Sequence, residues 1–358
     1  MRTKVFAILV TLVFAASSAA DTIAVCLDGS CDYTDIQEAI NAASDGDVIE
    51  ISGGTYYPAA TIDMGGKAVA LRGEVSADGQ LLSTLNGGST VQIARCISGE
   101  DATTRFVDLI FLDGNSTNGG GMLIDDSSPY IAGCEFIGNT ASDSGGALFI
   151  CCTSSPTIDA CTFRDNQAAS GGGIATEFGS PTIDACTFIG NQAESGGGIT
   201  NDFFSTSQIT SSTFVLNIAG TGGAILNTFA SSPTIVDCTI TENQASSGFG
   251  GGGIYSSKGT STTPNMGATI ICENSPNQVF GEFIDLGENC IQESCIDCES
   301  IDCPADLTGD GVVDGEDLGL LFVKWGACDV SCPADLSGDG NVDGEDLGLL
   351  FVTWGACP

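Results

Sequence analysis

From Ser128 onward, short runs of alternating apolar and polar residues recur along the chain. Ser128-Pro129-Tyr130-Ile131-Ala132-Gly133-Cys134-Glu135-Phe136-Ile137-Gly138-Asn139 is followed by Gly145-Gly146-Ala147-Leu148. The pattern returns as Ser155-Pro156, Cys161, Phe163, Asn166 and Gly171-Gly172-Gly173-Ile174, and again as Ser180-Pro181, Cys186, Phe188, Asn191 and Gly196-Gly197-Gly198-Ile199. A fourth copy carries Ser212, Phe214, Asn217 and Gly222-Gly223-Ala224-Ile225, and a fifth Ser232-Pro233, Cys238, Ile240, Asn243 and Gly251-Gly252-Gly253-Ile254. Weaker copies surround Phe111 and Ile271. A period of roughly 25–27 residues, with β-branched and aromatic residues alternating against polar ones, predicts one coil of a stacked parallel β solenoid per repeat. The segments are too short and glycine-rich for paired helices, and the absence of regular leucine positions excludes leucine-rich repeats.

Each repeat position then has an expected role. Cys and Phe, two residues apart, share one strand face and point inward. The threonines between them, Thr162, Thr187, Thr213 and Thr239, point out. Asn139, Asn166, Asn191, Asn217 and Asn243 recur at a turn, where stacked amides can bond along the pile and serve turn backbone that lacks partners. The glycine pairs permit positive φ or close approach of neighbouring coils. Cys134, Cys161 and Cys186 read as buried apolar thiols rather than metal ligands, because their face also carries Phe.

Upstream, Ile36, Ala39, Ile40 and Ala43 form one apolar helical face behind a capping box read at Thr34-Asp35-Ile36-Gln37. Gly46 to Ile51 alternates as a strand. The helix is expected to cover the exposed first edge of the solenoid, with Cys26 and Cys31 stapling it. Asp35-Ile36-Gln37-Glu38-Ala39-Ile40, Gly46-Asp47-Val48-Ile49, Gly54-Thr55-Tyr56 and Leu71-Arg72-Gly73 resemble the N-terminal entry of pectate-lyase-like right-handed β-helix proteins. The Phe-x-x-Asn and Gly-Gly-Ala/Gly-Ile/Leu motifs resemble the repeats of polymorphic outer-membrane proteins, an adhesin family. The resemblance implies an all-β, right-handed parallel β-helix with an N-terminal capping helix.

The C-terminus is a different unit. Cys303 to Cys328 returns as Cys332 to Cys357 almost letter for letter. Asp306, Thr308, Asp310, Asp314 and Asp317 occupy loop positions 1, 3, 5, 9 and 12, the spacing that wraps a chain around a hard cation, with Val312 adding a backbone carbonyl at position 7. The second loop offers Asp335, Ser337, Asp339, Asn341, Asp343 and Asp346. Each loop runs into one apolar helix, Leu318–Trp325 or Leu347–Trp354. A loop plus one helix, twice, resembles a dockerin domain, which implies bound Ca²⁺ and a cohesin-like scaffold partner. The pair Gly-Glu at positions 10–11 departs from cohesin-binding dockerins. Cys303 with Cys328 and Cys332 with Cys357 are expected to clasp the two units.

Composition narrows the compartment and the partners. Arg2 and Lys4 precede an apolar run, Val5–Ala15, too short to span a bilayer, and small residues at Ser18 and Ala20 suit cleavage before Asp21. The expected organisation is a leader at 1–20, the β-helix at 21–287, a Cys-rich acidic linker at 288–302 and the calcium module at 303–358. The expected location is secreted or cell-surface. The formal charge of −37 argues against nucleic acid and anionic membranes, and the absence of His removes the commonest acid–base residue. The 17 Cys suit an oxidising compartment, where Cys290, Cys295, Cys298 and Cys303 read as disulfide partners rather than zinc ligands.

Catalytic candidates are sparse. Arg164 is the only basic residue between Arg105 and Lys258, and Asp159 and Asp184 fall one coil apart, able to hold a cation or share a proton. The pattern reads first as a monomeric, non-catalytic surface or matrix rod that binds a polysaccharide or a cell-surface protein. The alternatives are a calcium-dependent polysaccharide lyase or glycoside hydrolase, or a component of a polysaccharide-degrading assembly.

Overall fold

The computed structural model describes residues 20–358 except 248–249, 259–261, 296–297, 299–304, 306, 309–311, 328–331, 338–339, 353 and 357–358. The expected leader at 1–20 therefore lies outside the described residues, but for Ala20. From Thr22 the chain coils into a parallel β solenoid whose rungs stack into sheets of 11, 10, 6 and 9 strands. One rung shows the plan: Thr157–Asp159, Thr162–Arg164, Gln167–Ser170 and Ile174–Glu177 each contribute to one sheet. The next rung lies in register above it, Thr157 on Thr182 and Phe163 on Phe188.

The inward positions form columns. Phe111, Phe136, Phe163, Phe188 and Phe214 stack with ring centroids 4.6–5.0 Å apart and planes within 11°. That separation is the interstrand spacing itself, so the sheets set the aromatic contact and offset stacking adds to burial. Ile131, Ile158, Ile183, Ile209 and Ile235 form a second column without solvent exposure. Cys134, Cys161, Cys186 and Cys238 lie inward as expected, and the threonines between Cys and Phe are half-buried on the outer face.

The asparagine column is a continuous amide ladder. Asn139 Nδ2 donates to Asn166 Oδ1, Asn166 to Asn191, Asn191 to Asn217 and Asn217 to Asn243, at 2.9–3.0 Å. It runs one rung further than expected: Asn243 donates to Asn274, which closes the ladder on Gln278 Oε1 at 2.8 Å. Each of these asparagines follows a residue at positive φ, such as Asp165 (57°), Gly190 (66°) and Leu216 (58°). That left-handed residue turns the chain from one sheet to the next, and the amide supplies the bonds the corner lacks. Asn166 Nδ2, for example, donates to Phe136 O. Both expected roles of glycine occur side by side. Gly171 has φ 63°, and a Cβ on Gly172 would meet Gly197 O at 2.5 Å.

At the entry, helix α1 (Ile36–Ala42) buries Ile36, Ala39 and Ile40 in the core that the first rungs share. Its N-cap is Asp35, whose carboxylate accepts from Glu38 N, and not Thr34 as the sequence suggested. The shift reflects which oxygen reaches the third amide of the helix. Lys67 Nζ donates at 2.7 Å to the carbonyls of Ile40, Asn41 and Ala43, satisfying the exit of α1. The strand expected from Gly46 begins at Val48. Cys26 and Cys31 are bridged.

The far end also departs from expectation. Cys290–Ile291 pairs in parallel with Ile270–Ile271, so the ladder continues past residue 287 into the expected linker. Two disulfides, Cys272–Cys295 and Cys290–Cys298, tie that segment back to the last rungs.

In the C-terminal unit, helices α2 (Gly315–Val323) and α3 (Gly344–Val352) each follow one loop. The two halves exchange strands. Val312–Val313 of the first pairs antiparallel with Gly355–Ala356 of the second, and Gly326–Ala327 pairs with Asn341–Val342. The shared core is small: Ala305, Val313, Leu321, Ala334, Val342 and Leu350. Cys303, Cys328 and Cys357 of the expected clasps lie outside the described residues.

Candidate functional site

The three catalytic candidates do not converge. Asp159 and Asp184 sit side by side in register on the outer face of the first sheet. Each is engaged separately: Asp159 Oδ2 accepts from Tyr130 Oη at 2.9 Å and Asp184 Oδ1 from Thr210 Oγ1 at 2.6 Å. The hydrogen bond to Asp159, then burial, raises the Tyr130 phenol above its ordinary value. Arg164 lies on the second sheet, past the corner at Ala160, between Ile137 and Ile189 in its register column. Among the described residues the ion pairs are Arg72–Glu50 and Arg95–Asp63. Arg164 takes part in neither.

A different set is assembled at the outer end of the fourth sheet. Asp125, Cys151, Glu177 and Asp202 occupy successive rungs of one column, in direct register. Burial, then the nearby Asp202 and Asp143, raises Glu177 above the ordinary glutamate value of 4.5. Asp202 Oδ1 accepts from Thr228 Oγ1 at 2.6 Å. Beside this column the chain leaves the sheet through Phe178, Phe203 and Phe229, all at positive φ (56°, 47° and 43°). Their rings stack at 5.3 and 4.8 Å, and Phe178 and Phe229 are about half exposed. Bulky residues in the left-handed region cost roughly 1–2 kcal/mol each. The fold therefore maintains an apolar ridge in solvent against both hydration and backbone preference. Carboxylates beside an aromatic ridge offer acceptors for hydroxyls and apolar surface for C–H faces.

At the lower end of the column, Asp125 and the adjacent pair Cys151–Cys152 bring one oxygen and two sulfurs within 4.8 Å of one another. Burial first, then hydrogen bonding with Cys152 and Asp125, pushes the Cys151 thiol up. Sequence reasoning missed the whole column. Its members lie one rung apart and belong to no common motif, and only the recurrence of a charged or thiol residue shortly before Ser-Pro or Ser-Thr hints at it.

Because the folded Glu177 carboxyl holds its proton more tightly than the unfolded one, stability falls as pH rises from the ordinary value through the raised one. Glu177→Gln is expected to raise the urea midpoint near neutral pH and to leave it unchanged below the ordinary glutamate value. Equal midpoints at neutral pH would show that the ionised carboxylate carries no penalty there.

In the C-terminal loops, the last acid of each motif is fully buried. Asp317 accepts from Thr308 N (2.9 Å) and Asp314 N (2.8 Å), and Asp346 from Ser337 N (2.9 Å) and Asp343 N (2.7 Å). Burial raises Asp346, but those backbone donors outweigh it and leave the carboxyl below its ordinary value. Asp335 Oδ2 accepts from Gly340 N at 2.8 Å. Thr308, Val312, Asp314, Asp317, Asp335, Ser337, Asn341, Asp343 and Asp346 are thus placed, whereas Asp306, Asp310 and Asp339 lie outside the described residues.

The family described as "Right handed beta helix region" matches residues 95–274, just over half of the chain. The chain belongs to this right-handed β-helix family. Among solved structures, this β-helix is similar to pectin methylesterase from carrot, with 14% identity, TM-score 0.43, and 76% of this chain and 84% of that one covered. The pectin methylesterase of Aspergillus niger shares 14% identity with TM-score 0.28 (78% and 91% covered), and ORF18 of Geobacillus virus E2 12% with 0.32 (72% and 56%). At such identities the likeness is one of fold. A search of curated proteins finds no match.

Proposed function

We propose that this β-helix is an exported, non-catalytic rod that binds glycan along its outer face and is fastened to a scaffold by a dockerin-like, calcium-binding C-terminal module. The observation that carries the reading is the outward ridge, where Glu177 and Asp202 flank the stacked Phe178, Phe203 and Phe229. The separation of Arg164 from Asp159 and Asp184 favours binding over cleavage, since acid–base chemistry needs its groups within reach of one substrate. The chain's charge of −37 favours a neutral polysaccharide over a polyuronate.

The C-terminal donors suit Ca²⁺. The placed side-chain donors are all hard oxygens, and each buried acid holds the third and ninth loop residues by their amides, so that the loop keeps the curvature a cation needs. Attachment is supported by the ends of α2 and α3 and the residues just past them, which expose Phe322, Val323 and Trp325 in one half and Phe351, Val352 and Trp354 in the other.

The test incubates residues 21–358 with neutral glycans and polyuronates, with and without calcium, and follows both retention and chain length. Retained neutral glycan of unchanged length is expected, with retention lost in Phe178→Ser/Phe229→Ser. Shortened product would replace this reading with a lyase or hydrolase.

A further inference from the structure

We propose that Asp125, Cys151 and Cys152 form a metal site, distinct in chemistry from the proposed calcium loops, for a thiophilic divalent cation of the zinc class, with the fourth position left to solvent. Adjacent residues of a strand point to opposite faces, so neighbouring cysteines do not ordinarily present two sulfurs to one point. Here the strand Leu148–Cys151 ends, and Cys152 (φ 62°) and Thr153 (φ 69°) enter the left-handed region. The turn brings Cys152 Sγ beside Cys151 Sγ.

Register supplies the oxygen. Asp125 lies one rung below Cys151, directly paired with it. Two sulfurs and one carboxylate oxygen lie within 4.8 Å of one another, the clustering from which a tetrahedral centre with bonds of about 2.0–2.3 Å can be closed by side-chain rotation. The sulfurs also differ in access, as a loading site requires. Cys151 is 7% exposed, packed with Phe149 and Ala175, while Cys152 is exposed. The other free thiols among the described residues, Cys96, Cys134, Cys161, Cys186 and Cys238, are all buried.

Binding exchanges protons for the ion. The cation bonds to both sulfurs as each S–H bond breaks, and two protons pass to solvent with no change of oxidation state. Sulfur ligands separate this site from the all-oxygen loops by softness, so calcium saturation does not fill it.

The experiment uses residues 21–358 with thiols reduced and calcium saturating, and adds Co²⁺. A thiolate-to-cobalt charge-transfer absorption is expected, abolished by competing Zn²⁺. Cys152→Ser, at an exposed position that disturbs no packing, should remove most of it. Asp125→Asn should weaken cobalt binding by more than about ten-fold, the loss that even an outer-shell change can cause. Cys238→Ser should leave the absorption unchanged. The site is refuted by absence of the absorption in the reduced protein, by its persistence in Cys152→Ser, or by mass analysis showing Cys151 and Cys152 joined to each other under the reducing conditions used.

Discussion

Asn191→Ala is expected to lower the stability of the β-helix by about 4 kcal/mol or more, one of the largest effects available to a single substitution in the chain. Asn191 Nδ2 donates to Phe163 O and Asn217 Oδ1, and its Oδ1 accepts from both the backbone N–H and the side-chain amide of Asn166. All of these atoms lie in the interior, where water cannot replace the lost partner. Truncation leaves two Asn166 donors without their acceptor and takes one of the bonds of the Phe163 carbonyl, at about 1–3 kcal/mol for each buried group left without a bond. The costs are not additive, because the ladder relaxes as a unit. Urea unfolding gives the magnitude, and hydrogen exchange gives the place: protection should fall first in the rungs that hold Asn166, Asn191 and Asn217. Thr187→Ala, four residues earlier on the outer face, should stay within about 0.5 kcal/mol of the parent. A loss for Asn191→Ala no greater than that for Thr187→Ala would refute the account of the ladder.

The second large effect follows from the small C-terminal core. With Ala305, Val313, Leu321, Ala334, Val342 and Leu350 as its buried apolar residues, the module has little hydrophobic energy to offset the ordering of its loops. Calcium at about a thousand times its dissociation constant contributes roughly 4 kcal/mol to whatever folds around it. Chelation is therefore expected to abolish amide protection across residues 312–356 while the β-helix exchanges as before. The double variant Asp317→Ala/Asp346→Ala should show the same loss in calcium, because each acid anchors two amides of its loop and stands at the last position of the proposed calcium site. Protection that survives chelation would mean that the module folds without the ion, and calcium would lose its place in the proposed function.

The fold was legible because its columns are written as identities. Phe163, Phe188 and Phe214 stack on one another, so a single residue type satisfies every rung, and the repeat is visible in one dimension. The asparagines are legible for the same reason. Non-identity hid the rest. The corners before the asparagines use Asp, Gly, Leu and Glu at one left-handed position, so composition did not reveal them. The last rung pairs Cys290–Ile291 with Ile270–Ile271, but acidic residues around it read as linker. Arg164 stands out as the only basic residue between Arg105 and Lys258, yet rarity says nothing of facing, and a corner separates it from Asp159 and Asp184. The fourth-sheet column mixes Asp, Cys, Glu and Asp. Only the register, which depends on the length of every intervening turn, brings those residues together.

The stacking direction has a mechanical consequence. The strands run across the long axis, so the hydrogen bonds between rungs lie along it, and tension applied to the ends loads the rung interfaces in series. The solenoid then yields by peeling, one coil per event. With Asn191 and Asn217 one coil apart and separated by 26 residues, each event pays out about 90 Å of chain. Near the C-terminal end, the Cys272–Cys295 and Cys290–Cys298 bridges withhold part of that length, so force entering from the module side meets a coil that cannot fully unravel until the bridges are reduced. A solenoid of this kind lengthens in steps under load instead of giving way all at once.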